Sequence, residues 1–74
     1  MTIEKLREYF TVELNLTTAA VNNRVVCANK SETVWYAIQR CLGASQFADT
    51  CGLKYQEIER EFEIVKAKLM ELED

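Results

Sequence analysis

No proline interrupts the chain, and only two glycines, Gly43 and Gly52, punctuate its 74 residues. Sheet proteins turn on proline, glycine and asparagine, because those residues adopt the backbone angles that tight turns require. A chain with so few of them reads as helices separated by brief polar stops. The sequence therefore predicts an all-α fold, a compact array of four to five short helices in a single domain over 1–74, ending in a long amphipathic helix.

The first helix starts at Thr2, whose hydroxyl suits an N-cap, with Glu4 in the first turn where the helix dipole favours a carboxylate. Ile3, Leu6, Phe10 and Leu14 recur at threes and fours and draw one apolar stripe. Asn15 tolerates the left-handed conformation and is expected to end the helix. A second segment covers 18–29, with Thr17 as its cap, Leu16 stapled against Val21, and Val21, Val25 and Ala28 on one face. Its β-branched valines and the alternation over 11–16 leave a short β-hairpin over 10–28 as the alternative.

A third helix is capped by Ser31 and closed by Gly43, with Val34, Ile38, Cys41 and Leu42 as its buried face and Trp35 covering the edge of the core. A helix of barely two turns follows over 45–51, capped by Ser45, with Phe47, Ala48 and Cys51 facing inward. The last helix begins at about Lys54.

Half the residues are hydrophobic, enough for a core and well outside the composition of disordered chains. The core is nevertheless small, since a chain of this length hides only about 60% of its unfolded surface. Cys27, Cys41 and Cys51 are odd in number and sit among apolar or small neighbours, without a signal-peptide pattern. They read as reduced, buried thiols, with a disulfide between two of them as the alternative. With no histidine and no Cys-x-x-Cys spacing, no metal site is expected. Self-association is then the remaining way to enlarge the core. Nine basic and twelve acidic residues give a net charge of −3, which disfavours non-specific binding to nucleic acid or anionic membranes. No apolar run has the length of a membrane span, so a soluble, cytoplasmic protein is expected.

In the terminal helix Tyr55, Ile58, Phe62, Val65, Leu69 and Leu72 are spaced three, four, three, four, three, which is a heptad seam. Glu61 with Lys66, and Lys68 with Glu73, occupy flanking positions that suit a parallel homodimer. The same stripe equally suits a long helix lying on the core of its own chain. Ile64 and Met70 lie off the seam and widen the apolar surface. The first half is expected to pack internally, whereas the last two turns, Leu69 to Leu72, are as open to a partner or a second copy as to the core of their own chain.

The segment 44–62 resembles a helix-turn-helix. Ala48 stands where that motif packs an alanine against its second helix, Gly52 where it makes the left-handed turn, and Ile58 where an aliphatic locks the second helix down. Phe47, Cys51 and Leu53 supply the expected apolar neighbours. The resemblance implies DNA reading by the second helix, for which only Lys54, Gln56 and Arg60 are suitable. Glu57, Glu59, Glu61 and Glu63 on the same helix would be repelled by phosphates, and Glu61 departs from the aliphatic that the motif has there.

Catalysis finds little to work with. Histidine is absent, a cysteine nucleophile would lack its imidazole base, and no glycine-rich phosphate loop is present. The chain is expected to be a non-enzyme without cofactors. Acidic, histidine-free helical chains of this size resemble in style the small accessory or regulatory proteins of bacteria and their phages. That resemblance implies an adaptor or inhibitor docking on a partner protein, with Glu57, Glu59, Glu61, Glu63, Leu69 and Leu72 as candidate contacts. The alternative is a dimeric transcriptional regulator of the helix-turn-helix type, contacting DNA through Lys54, Gln56 and Arg60.

Overall fold

The computed structural model describes residues 1–23 and 29–73, and among them it has three helices and no strand: α1 (Ile3–Asn22), α2 (Lys30–Thr50) and α3 (Tyr55–Glu71). The expected four to five helices become three because two of the anticipated breaks do not occur. Residues 10–22 are helical, which removes the hairpin alternative there. Val25 and Ala28, expected on the face of the second segment, lie outside the described residues.

α1 begins as its sequence predicts, with Thr2 Oγ1 accepting from the Lys5 amide at 3.2 Å. It then runs through Asn15, an exposed mid-helix residue. Thr17 is not a cap but a buried residue on the core face, and the Thr18 hydroxyl donates to the Leu14 carbonyl at 2.7 Å. The inward positions are Leu6, Phe10, Glu13 and Thr17, with Ile3, Leu14 and Val21 beside them. This is one unbroken 3.6-residue period. Two polar residues on the buried face, Glu13 and Thr17, are what disguise it in the sequence.

α2 starts one residue before Ser31, and the cap is Asn29, whose side-chain oxygen accepts from the Glu32 amide at 2.9 Å. The helix continues through Gly43, which makes no contact that an added Cβ would disturb. Ser45 is buried and donates to the Cys41 carbonyl at 2.9 Å, so it serves a helix already formed rather than starting a new one. A single register then points Val34, Ala37, Cys41, Ser45 and Ala48 inward. Leu42 and Phe47 stand about 100° to either side of that stripe, and both are exposed, as is Cys51, where burial was expected.

The stop after α2 is complete. Gly52, at φ +91°, occupies the left-handed position that closes a Schellman motif. The Leu53 amide donates to the Ala48 carbonyl at 3.1 Å and the Gly52 amide to the Asp49 carbonyl at 3.0 Å. Leu53 and Ile58 then fold onto the core.

Helices of 20, 21 and 17 residues are about 30, 32 and 26 Å long at 1.5 Å per residue. The molecule measures 40 × 17 × 15 Å. None of the three helices fits across its width, so all lie along its long axis. Arg7 meets Glu61, and further along Leu14 shares a groove with Val65 and Lys68, so α1 and α3 run parallel. Asp49 shares a groove with Tyr55 and Trp35 one with Met70, so α2 runs antiparallel to α3. The fold is an up-down-up three-helix bundle. The α2–α3 pair is consequently an antiparallel hairpin, not the crossed pair, at roughly 90–120°, of a helix-turn-helix. Ala48 and Ile58 are buried as that resemblance implies, but they close a bundle.

The core gathers Leu6 and Phe10 of α1, Val34, Ala37, Cys41 and Ala48 of α2, and Ile58, Val65 and Leu69 of α3. Each large apolar side chain taken fully out of water contributes about 1.5–3 kcal/mol. A polar cluster at the core's edge is well partnered: Arg40 Nε donates to both Glu13 carboxylate oxygens at 3.0 and 3.1 Å, and the Tyr9 hydroxyl donates to one of them at 3.3 Å. Among the described residues, Thr17 Oγ1 is buried without a hydrogen-bond partner.

Candidate docking surface

The heptad stripe of α3 is used mainly within the chain. Ile58, Val65 and Leu69 are buried, Phe62 and Leu72 are half-buried against the core, and only Tyr55 stands free. Leu69, which its spacing leaves as open to a partner as to the core, has no exposed surface at all.

The four candidate carboxylates divide between two sides of the helix. Glu61 turns towards α1, where its Oε1 accepts from Arg7 Nε at 2.8 Å rather than pairing with Lys66. Glu57 adds its field there, and hydrogen bonding to Glu61 followed by the charge of Glu61 holds the Arg7 guanidinium still more firmly protonated. Glu59 and Glu63 turn the other way, towards α2. Lys54, Gln56 and Arg60 are exposed on the turn and the outer side of α3, apart from these grooves.

The α2–α3 side carries a groove with two hollows. One, of about 330 Å³, has Ile58, Phe62 and Ser45 in its floor and Leu42 and Tyr55 at its mouth, with Asp49, Glu59 and Glu63 on the rim. The other, wider and about 570 Å³, lies towards the opposite end between Trp35 and Ile38 of α2 and Lys66 and Met70 of α3, with Glu32 and Glu73 at its edge. Trp35, Tyr55 and Met70 are 55%, 65% and 50% exposed, and Leu42 is also open to solvent. By contrast, the cleft between α1 and α3 holds only about 160 Å³ and is crossed by the Arg7–Glu61 ion pair.

Charge along the groove is one-sided. Glu32, Asp49, Glu59, Glu63 and Glu73 line it against a single cation, Lys66, and among the described residues none of the five carboxylates is in an ion pair.

Sequence reasoning missed this groove because it placed Leu42 in the core and split α2 in two. Had 30–50 been read as one helix, Trp35, Ile38, Leu42 and Asp49 would have emerged as a second stripe beside the core stripe.

Among the described residues no group of three metal-ligating side chains comes together, and no helix is long and apolar enough to cross a membrane. Cys41 and Cys51 are free thiols. Burial, and then the charge of Glu13, push the Cys41 thiol up to about 11, so it stays protonated at neutral pH. Comparison with known protein families, with curated proteins and with solved structures finds no match to this chain.

Proposed function

We propose that this chain is a non-enzymatic protein-interaction module, an adaptor or inhibitor that docks on a partner protein through the groove between α2 and α3. The observation that carries the reading is the set Trp35, Leu42, Tyr55 and Met70, four large apolar side chains left in water along one groove. A chain with so small a core keeps such residues outside it at a cost in solubility, and grouped exposed apolar side chains mark interaction sites. Glu59 and Glu63, expected as contacts, belong to this surface. Glu57 and Glu61 support the bundle from its other side. The free thiols fit a reducing compartment such as the cytoplasm. DNA reading by Lys54, Gln56 and Arg60 is disfavoured, because α2 and α3 form an antiparallel hairpin and not the crossed pair that presents a recognition helix.

The test compares wild type, Leu42→Asp and Val12→Asp as baits in extracts of the source cells. Val12 is exposed on α1, so its variant controls for added charge alone. A partner held by wild type and Val12→Asp but lost from Leu42→Asp is the expected result. Equal capture by all three baits refutes the reading.

A further inference from the structure

Resting on that reading, we infer that the groove's occupant is a basic amphipathic helix, lying lengthwise between α2 and α3 as a fourth helix with two apolar anchors three turns apart. The spacing of the hollows sets the anchors. Along α2 the linings run from Leu42 to Asp49 and from Asn29 to Gln39, with middles eleven to twelve residues or about 17 Å apart; along α3 they run from Tyr55 to Glu63 and from Lys66 to Glu73, with middles ten to eleven residues or about 16 Å apart. A helix brings nearly the same face round every eleven residues, about 16.5 Å along its axis. An extended strand presents same-side residues about 6.6, 13 or 20 Å apart and fits neither figure. Apolar residues at i and i+11 of a docked helix therefore enter both hollows, with i+4 and i+7 passing over Ile38 and Leu42, which face each other along α2 at the inner ends of the hollows.

The rim decides the charge. Five carboxylates against Lys66 select lysine or arginine beside the anchors and repel an acidic segment. The same rim argues against a second copy of this chain, since two such grooves face to face would bring ten carboxylates together in a protein already at −3.

Trp35 is the chain's single tryptophan and reports occupancy directly. The probe is a synthetic, tryptophan-free helical peptide with leucines recurring at threes and fours on one face and lysines elsewhere. Two controls accompany it: one with glutamate replacing every lysine, and one with the leucines shuffled off a single face. The lysine peptide should shift Trp35 emission to the blue and saturate, binding at least about tenfold more tightly than either control. Leu42→Asp should weaken it about tenfold or more. That outcome separates docking from bulk attraction, because an added carboxylate would otherwise tighten a cationic peptide. Glu59→Lys with Glu63→Lys leaves three carboxylates against three cations and should abolish the preference for the lysine peptide over the glutamate peptide, with unchanged helix content by circular dichroism.

Equal binding of the glutamate or shuffled peptide, still blocked by Leu42→Asp, overturns the basic-helix inference while leaving the groove as the docking surface. If no peptide binds, the inference also falls, and Leu42-dependent capture from cells then decides whether the groove reading survives. Concentration-dependent dimerisation abolished by Leu42→Asp would make the occupant a second copy and overturn the inference as well.

Discussion

A β-carbon added at Gly43 and one added at Gly52 meet the same empty space, yet the two substitutions should act in opposite directions. Gly43 lies inside α2, where alanine is about 1 kcal/mol better than glycine because it loses less backbone entropy. Gly52 sits at φ +91°, where an L side chain crowds its own backbone by about 1–2 kcal/mol. Urea midpoints should therefore rise for Gly43→Ala and fall for Gly52→Ala, and a shared sign would contradict the helix boundary at residue 51. Cys41 gives a residue-scale prediction in pH. The folded thiol keeps its proton to about 11, whereas an unfolded thiol releases it near 9.0. As pH rises between those values the unfolded state is favoured, so this thiol's share of stability is intact below about 9 and is lost towards 11. Tyr9, raised by burial and then by Glu13, drives in the same direction. The urea midpoint should fall less in Cys41→Ala than in wild type between neutral and strongly alkaline pH. Parallel falls would mean that Cys41 is not held protonated by the core.

At the scale of the element, the sequence was most legible where apolar spacing and capping agreed. The start of α1 at Thr2, the stripe Ile3, Leu6, Phe10 and Leu14, and the turn at Gly52 all stand where their residue types require. Reading failed where a local signal competed with a longer period. Asn15, Gly43 and Ser45 each favour a stop in isolation, but burial of Thr17 on one helix and of Cys41 and Ser45 on the other carries the helix across them. The heptad seam of α3 was visible from its spacing, yet spacing alone does not say which molecule fills it. Substitution does. Leu69→Ala, which removes a fully buried side chain, should cost about 2–5 kcal/mol, whereas Tyr55→Ala on the same stripe should cost well under about 1 kcal/mol. Thermal or urea unfolding distinguishes them, and a mild Leu69→Ala would return that residue to the list of partner contacts.

For the whole molecule, three long helices in a 40 × 17 × 15 Å body leave every helix with a face outside the core, and the three faces differ. The α1–α3 side is drawn together by Arg7–Glu61 and the α1–α2 side by Arg40–Glu13. The α2–α3 side has no such cross-link among the described residues, and it carries the exposed apolar side chains Trp35, Leu42, Tyr55 and Met70 within an acidic rim. This contrast was not legible in the sequence, because it depends on α2 being one helix and on Glu59 and Glu63 parting from Glu57 and Glu61. The most direct measurement places a photo-activated cross-linking side chain at Gln46 inside the groove and, separately, at the exposed Glu8 of α1, with irradiation in the source cells. A discrete cross-linked partner is expected from Gln46 and none from Glu8; cross-links from Glu8 alone, or none from Gln46, would refute the α2–α3 groove as the docking surface.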